Sequence, residues 1–78
     1  MKIEVLGMGC PKCRQTKENI QAALAELGRE AELAEVKSLK EIAGYGVMMT
    51  PAVVIDGEVK LSGKVPGVEA VKSLLEAE

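Results

Sequence analysis

"TPAVVIDGEVKLSGKVPGVEAVKSLLEAE", residues 50–78, decides the fold. Its first half reads as a β-hairpin. "AVVI" (52–55) and "EVKL" (58–61) are joined by Asp56-Gly57, a pair that accepts the positive φ values of a type I′ turn. Gly63 then breaks the chain. Pro66 is suited to the first turn of a helix, where its missing N–H leaves no intrahelical bond unmade. Val68, Val71, Leu74 and Leu75 share one side, so the spacing predicts a helix over 66–76. This end of the chain therefore runs hairpin then helix, and does not finish on a strand.

Working back from the hairpin, "SLKE" at 38–41 is a capping box: Ser38 accepts from the backbone of Glu41, which reaches back in turn. It opens a short helix that buries Leu39 and Ile42 and stops near Gly44. Ala31 to Val36 reads as a strand with interleaved charges, the mark of a sheet edge. Ile20, Ala23, Leu24 and Leu27 form the stripe of a core-facing helix over about 11–27, opened by Pro11 and ended by Gly28. "KIEVL" at 2–6 is a strand with Ile3 and Val5 on one face. The order is β-α-β-α-β-β-α. Its first three elements imply parallel strands joined right-handedly, and the hairpin adds two antiparallel ones.

Composition narrows the function. The chain has 78 residues, enough for one domain spanning 1–78, and 47% of them are apolar, enough to fold alone. It has no histidine, which excludes Cys-His pairs, Ser-His-Asp triads and His-containing zinc sites. Net charge is −2 and Tyr45 is the only aromatic residue, so the basic face and stacking rings of a nucleic-acid binder are missing. No apolar run approaches membrane-spanning length, and the start of the sequence carries no secretory signal pattern, so a cytoplasmic location is expected. In a reducing compartment a Cys-x-x-Cys pair is more often catalytic or metal-binding than structural.

That pair lies in "GMGCPKC", residues 7–13, between the first strand and the first helix. As Met-x-Cys-x-x-Cys it suits a soft-metal loop, holding Cu(I) or Zn(II) through Cys10 and Cys13 with Met8 as a third ligand. Carriers of that kind have the order β-α-β-β-α-β and finish on a strand. As Cys-Pro-Lys-Cys at a helix start it suits a dithiol that exchanges electrons. There the N-terminal dipole, Lys12 and Arg14 favour a thiolate at Cys10, while Cys13 sits one turn further in. A third possibility is a binding module whose cysteines are idle.

"GCPKC", "YGVMMTPAVVIDGEV" and "SGKVPG" together resemble the small thioredoxin-like redox-active disulfide proteins, over nearly the whole chain. The resemblance implies an α/β minimal thioredoxin fold: a four-stranded mixed sheet with three helices. It implies a thiol–disulfide oxidoreductase that is a monomer and needs no cofactor beyond its cysteines. It would act on protein disulfides and draw electrons from a thioredoxin-reductase-like donor. Cys10 would attack and Cys13 resolve. A cis bond is implied at Thr50–Pro51, with the Thr50 backbone turned toward the dithiol for substrate pairing. Glu4, six residues before Cys10, matches the offset of a family carboxylate that relays a proton to the second cysteine. The strand alternation points the other way, toward an outward-facing Glu4. Met48 and Met49 are candidates either for core filler or for an adaptable apolar docking rim. The sequence lacks the tryptophan of Trp-Cys-Gly-Pro-Cys thioredoxins and the Gly-Gly pair that helps glutaredoxins hold glutathione.

Overall fold

The computed structural model describes residues 1–7, 9 and 11–76. Seven elements follow in the expected order: β1 (Lys2–Leu6), α1 (Pro11–Leu27), β2 (Glu32–Val36), α2 (Leu39–Gly44), β3 (Ala52–Ile55), β4 (Glu58–Ser62) and α3 (Val68–Glu76). The four strands form one mixed sheet in the order β2-β1-β3-β4. β1 pairs parallel with β2 and antiparallel with β3, and β3 pairs antiparallel with β4. This is the α/β fold expected from the sequence.

The two central strands account for the most apolar segments. All four residues of β3 are buried, because alternate side chains enter cores on opposite faces. Val53 and Ile55 join Ile3 and Val5 of β1 in one cluster, with Ile20, Ala23 and Leu24 of α1 and Val71 and Leu75 of α3. Ala52 and Val54 join Leu6, Val36, Ile42 and Val47 in the other. α1 and α3 thus cover one face of the sheet and α2 the other. β2 is an edge strand, as its interleaved charges suggest.

Local chemistry sets the element ends. α1 stops in a Schellman motif: Gly28 has φ +65°, its N–H reaches Ala25 O at 3.2 Å, and Arg29 N–H reaches Leu24 O at 3.0 Å. Asp56 and Gly57 both take positive φ in the hairpin turn, at 50° and 84°. Ser38 Oγ accepts from Glu41 N–H at the start of α2.

Two expectations are corrected. Leu39 is 67% exposed, and Ile42 is the buried residue of α2. Side chains in a helix lean toward its N-terminus, so one on the first residue projects past the layer that Ile42 meets. The last helix begins at Val68 rather than Pro66: Gly67 O accepts the first helical bond, from Val71 N–H at 3.0 Å. Pro66 is buried ahead of it, with its carbonyl taken by Asn19 Nδ2 at 2.8 Å.

Candidate active site

The carboxyl ends of two parallel strands, the amino end of the following helix and a bend between α2 and β3 meet at one end of the sheet. Crevices at strand carboxyl ends are where open α/β sheets place their ligands. Gly7 continues β1 there, its N–H donating to Val36 O at 2.9 Å. Pro11 is the first residue of α1, where the sequence placed it, and Cys13 is the third. Pro11 and Lys12 are exposed, whereas Cys13 is 6% exposed. Cys10 and Met8 lie outside the described residues.

Cys13 is held by close packing. A β-carbon at Gly7 would overlap Cys13 Sγ, and would lie 3.2 Å from Cys13 Cβ and 3.9 Å from Thr50 Cβ. The missing side chain at Gly7 therefore makes the space that the thiol occupies, with Thr50 bordering it. One turn on, the fully buried Thr16 donates its hydroxyl to Lys12 O at 2.8 Å, tying down the first turn of α1. The Thr50–Pro51 bond is cis, as the resemblance implies. Pro51 is buried and its carbonyl accepts from Gly63 N–H at 3.0 Å, while Thr50 is exposed. The bend before it carries Met48, 97% exposed, and Met49, 65% exposed, so neither fills the core.

A cleft of about 100 Å³ opens beside Cys13, between α1 and the ends of β1 and β2. Its charged walls are Arg14, Glu35 and Lys37. The Glu35 carboxylate bridges Lys17 Nζ at 3.1 Å and Lys37 Nζ at 3.4 Å. The hydrogen bond and charge of Lys17, and then those of Lys37, hold the Glu35 carboxyl below its ordinary pKa. Sequence reading missed Gly7, Glu35 and Lys37. The alternation Ile3, Val5, Gly7 carries a signal for the first. The others needed the register, which sets Glu35 beside Val5 on the face that α1 covers.

Glu4 requires a correction. It lies on the opposite face of β1 from Val5, in a groove with Lys2, Glu41 and Tyr45. Its Oε1 accepts the Tyr45 hydroxyl at 3.0 Å, and that bond is the main reason the Tyr45 pKa is raised. The carboxylate on the Cys13 side of the sheet is Glu35, so the geometry does not support a relay from Glu4. Among the described residues, no group of three or more His, Cys, Asp or Glu side chains could hold a metal ion. No described helix is long and apolar enough to cross a membrane.

A βαβ unit and a β-hairpin closed by a helix, with a cysteine in the first turn of α1 facing a cis-proline bend, define a thioredoxin-like domain. The family model described as thioredoxin domain matches residues 1–76. A protein named thioredoxin from Methanocaldococcus jannaschii is 44% identical over 75 residues, covering 96% of this chain and 86% of the relative. Another of that name, from Methanothermobacter thermautotrophicus, is 36% identical over 75 residues, covering 96% and 97%. The chain belongs to the thioredoxin domain family, whose general chemistry is thiol–disulfide exchange.

Proposed function

We propose that the chain is a protein thiol–disulfide oxidoreductase that works through Cys10 and Cys13. The observation that supports this most is the placement of Cys13: in the first turn of α1, 6% exposed, and packed between Gly7 and the Thr50 side of the cis-proline bend. A buried thiol so close to Cys10 in sequence is suited to resolve rather than to attack. Cys10 precedes the helix, where the dipole and the neighbouring Lys12 and Arg14 favour the thiolate. Cys10 attacks a partner disulfide and forms a mixed disulfide. Cys13 then displaces it, which releases the partner thiol and leaves a Cys10–Cys13 disulfide. With the two thiols three residues apart in one chain, the second step is intramolecular.

The dithiol is its own electron carrier, so no bound cofactor is required. A thioredoxin-reductase-like donor restores it. The exposed Met48 and Met49 offer a soft apolar rim, and the Thr50 backbone offers pairing groups to an extended partner segment. The protein works as a monomer in the cytoplasm. The soft-metal reading called for a final strand, and α3 stands in that place.

Trapping tests the assignment. Cys13→Ser holds a partner covalently on Cys10, Cys10→Ser traps little and abolishes disulfide reduction, and iodoacetamide modifies Cys10 before Cys13. Equal trapping by both variants, or preferential alkylation of Cys13, would reverse the roles. No trapping by either variant, with tight Cu(I) retention by the reduced protein against glutathione, would replace this function with metal carriage.

A further inference from the structure

The resolving step needs Cys13 as a thiolate, since the thiol itself is a poor nucleophile. At 6% exposure, burial works against that charge. Among the described residues, the groups facing the thiol come from three sides. β1 offers Val5 and Gly7, and the Thr50 bend offers a hydroxyl; none of these carries charge. The charge is on the third side, where Arg14 and Lys17 of α1 face Glu35 and Lys37 of the β2 end. Of the residues lining the cleft, Arg14 and Lys37 are cations against the single carboxylate of Glu35, so the cleft is positive.

Lys37 is the cation that borders the cysteine loop at Gly9. Glu35 holds its Nζ at 3.4 Å, and both its Cε and Nζ would lie 3.8 Å from a β-carbon at Gly9. Gly9 has φ +82°, a conformation that keeps a side chain out of this contact. The ammonium is thus tethered beside the cysteine loop, although the Lys37 side chain is 62% exposed.

Resting on the oxidoreductase reading above, we propose that Lys37, tethered by Glu35, tunes the ionisation of Cys13 across the cleft they share. Lys37 is a charge-tuning residue and exchanges no proton itself. Cys13 loses its proton to water or hydroxide in the cleft. The resulting thiolate forms a bond to Cys10 Sγ as the bond from Cys10 to the partner sulfur breaks, and the electron pair leaves on the partner as its thiolate. Glu35 is already paired with two lysines and held ionised, so it is a poor proton acceptor and acts as the clamp.

The test isolates Cys13 in a Cys10→Ser background and titrates it by ultraviolet thiolate absorbance and by alkylation rate against pH. Lys37→Met keeps the aliphatic stem and removes the charge. It raises the Cys13 midpoint and lowers the thiolate population on the acid side by about threefold. Lys37→Arg restores it. Glu35→Gln keeps a side-chain oxygen that accepts from Lys37 Nζ, so the tether stays while the opposing negative charge goes, and the midpoint moves the other way by a similar factor. A merely structural role would loosen the cleft in both variants and shift both in one direction. Unchanged midpoints, or shifts of the same sign, overturn the proposal. Partner trapping by Cys13→Ser depends on Cys10 and is indifferent to Lys37, so loss of trapping counts against the redox reading alone.

Discussion

Replacing Gly7 with alanine probes the packing around Cys13 directly. The φ of Gly7 is not in the left-handed region, so the backbone accepts alanine and the whole effect is steric. The new methyl overlaps Cys13 Sγ and comes within 3.2 Å of Cys13 Cβ. Overpacking of this kind costs about 1–3 kcal/mol, because a neighbour must leave its rotamer or the backbone must shift. In a domain of this size about 2 kcal/mol lowers Tm by about 8–16 °C. The cost is specific to one atom pair, so it is removable. In a Cys13→Ala background the overlapping sulfur is gone and only the tight β-carbon contact remains. The double-mutant cycle therefore returns a favourable coupling of about 1–2 kcal/mol. Gly44→Ala is the control: it lies in α2 with nothing within 4 Å of the added carbon, so it is neutral or stabilises by up to about 1 kcal/mol. Urea unfolding followed by circular dichroism measures all four variants. If Gly7→Ala is as costly without the Cys13 sulfur as with it, the thiol does not sit against Gly7 and the description of the site fails.

Leu75 is fully buried between α1 and α3, so Leu75→Ala costs about 2–5 kcal/mol in urea unfolding, whereas Leu39→Ala on the exposed start of α2 stays within about 0.5 kcal/mol. Equal effects would contradict the assignment of α2 to a single buried residue. The Tyr45 pKa is raised in the folded state by its bond to Glu4, so the stability this bond gives is present below the unfolded tyrosine pKa and is lost as pH rises through the folded one. Tyr45→Phe and Glu4→Gln should each flatten the alkaline limb of the stability profile. An unchanged limb in both would mean the bond is not held in solution.

Elements whose ends are fixed by backbone chemistry were legible in the sequence. Asp56-Gly57 names its turn because few other pairs accept two positive φ values. Gly28 names the end of α1 for a similar reason, and the stripe from Ile20 to Leu24 names its buried face. What failed were readings that depend on where an element docks. Leu39 and Ile42 are three apart on one helical face, yet only the second meets the sheet. Pro66 is chemically fit to begin a helix, but Asn19 claims its carbonyl and the helix starts beyond it. The site divides in the same way. Cys13 could be read from spacing and Pro51 from its resemblance to family members. Glu35 could not, because its place beside Val5 is a property of strand register across a helical crossover. Alternation along β1 did argue against Glu4, and the Tyr45 bond on the α2 face agrees with it.

The strand order has a consequence for the timing of folding. β1 is central, yet it is the first strand to be synthesised. Ile3 pairs with Leu33 on one side and with Ile55 on the other. Both neighbours therefore emerge after it, and the second only when most of the chain exists. Until then Ile3 and Val5 sit on a strand with an open antiparallel edge, and the apolar face of α1 lacks Val71 and Leu75. Contacts this distant in sequence delay closure. A nascent chain halted before β3 is thus a poor folding unit on the ribosome, with a sticky strand for a holdase to mask. The arrival of residues 52–76 completes the sheet and seals the core in one late, cooperative event.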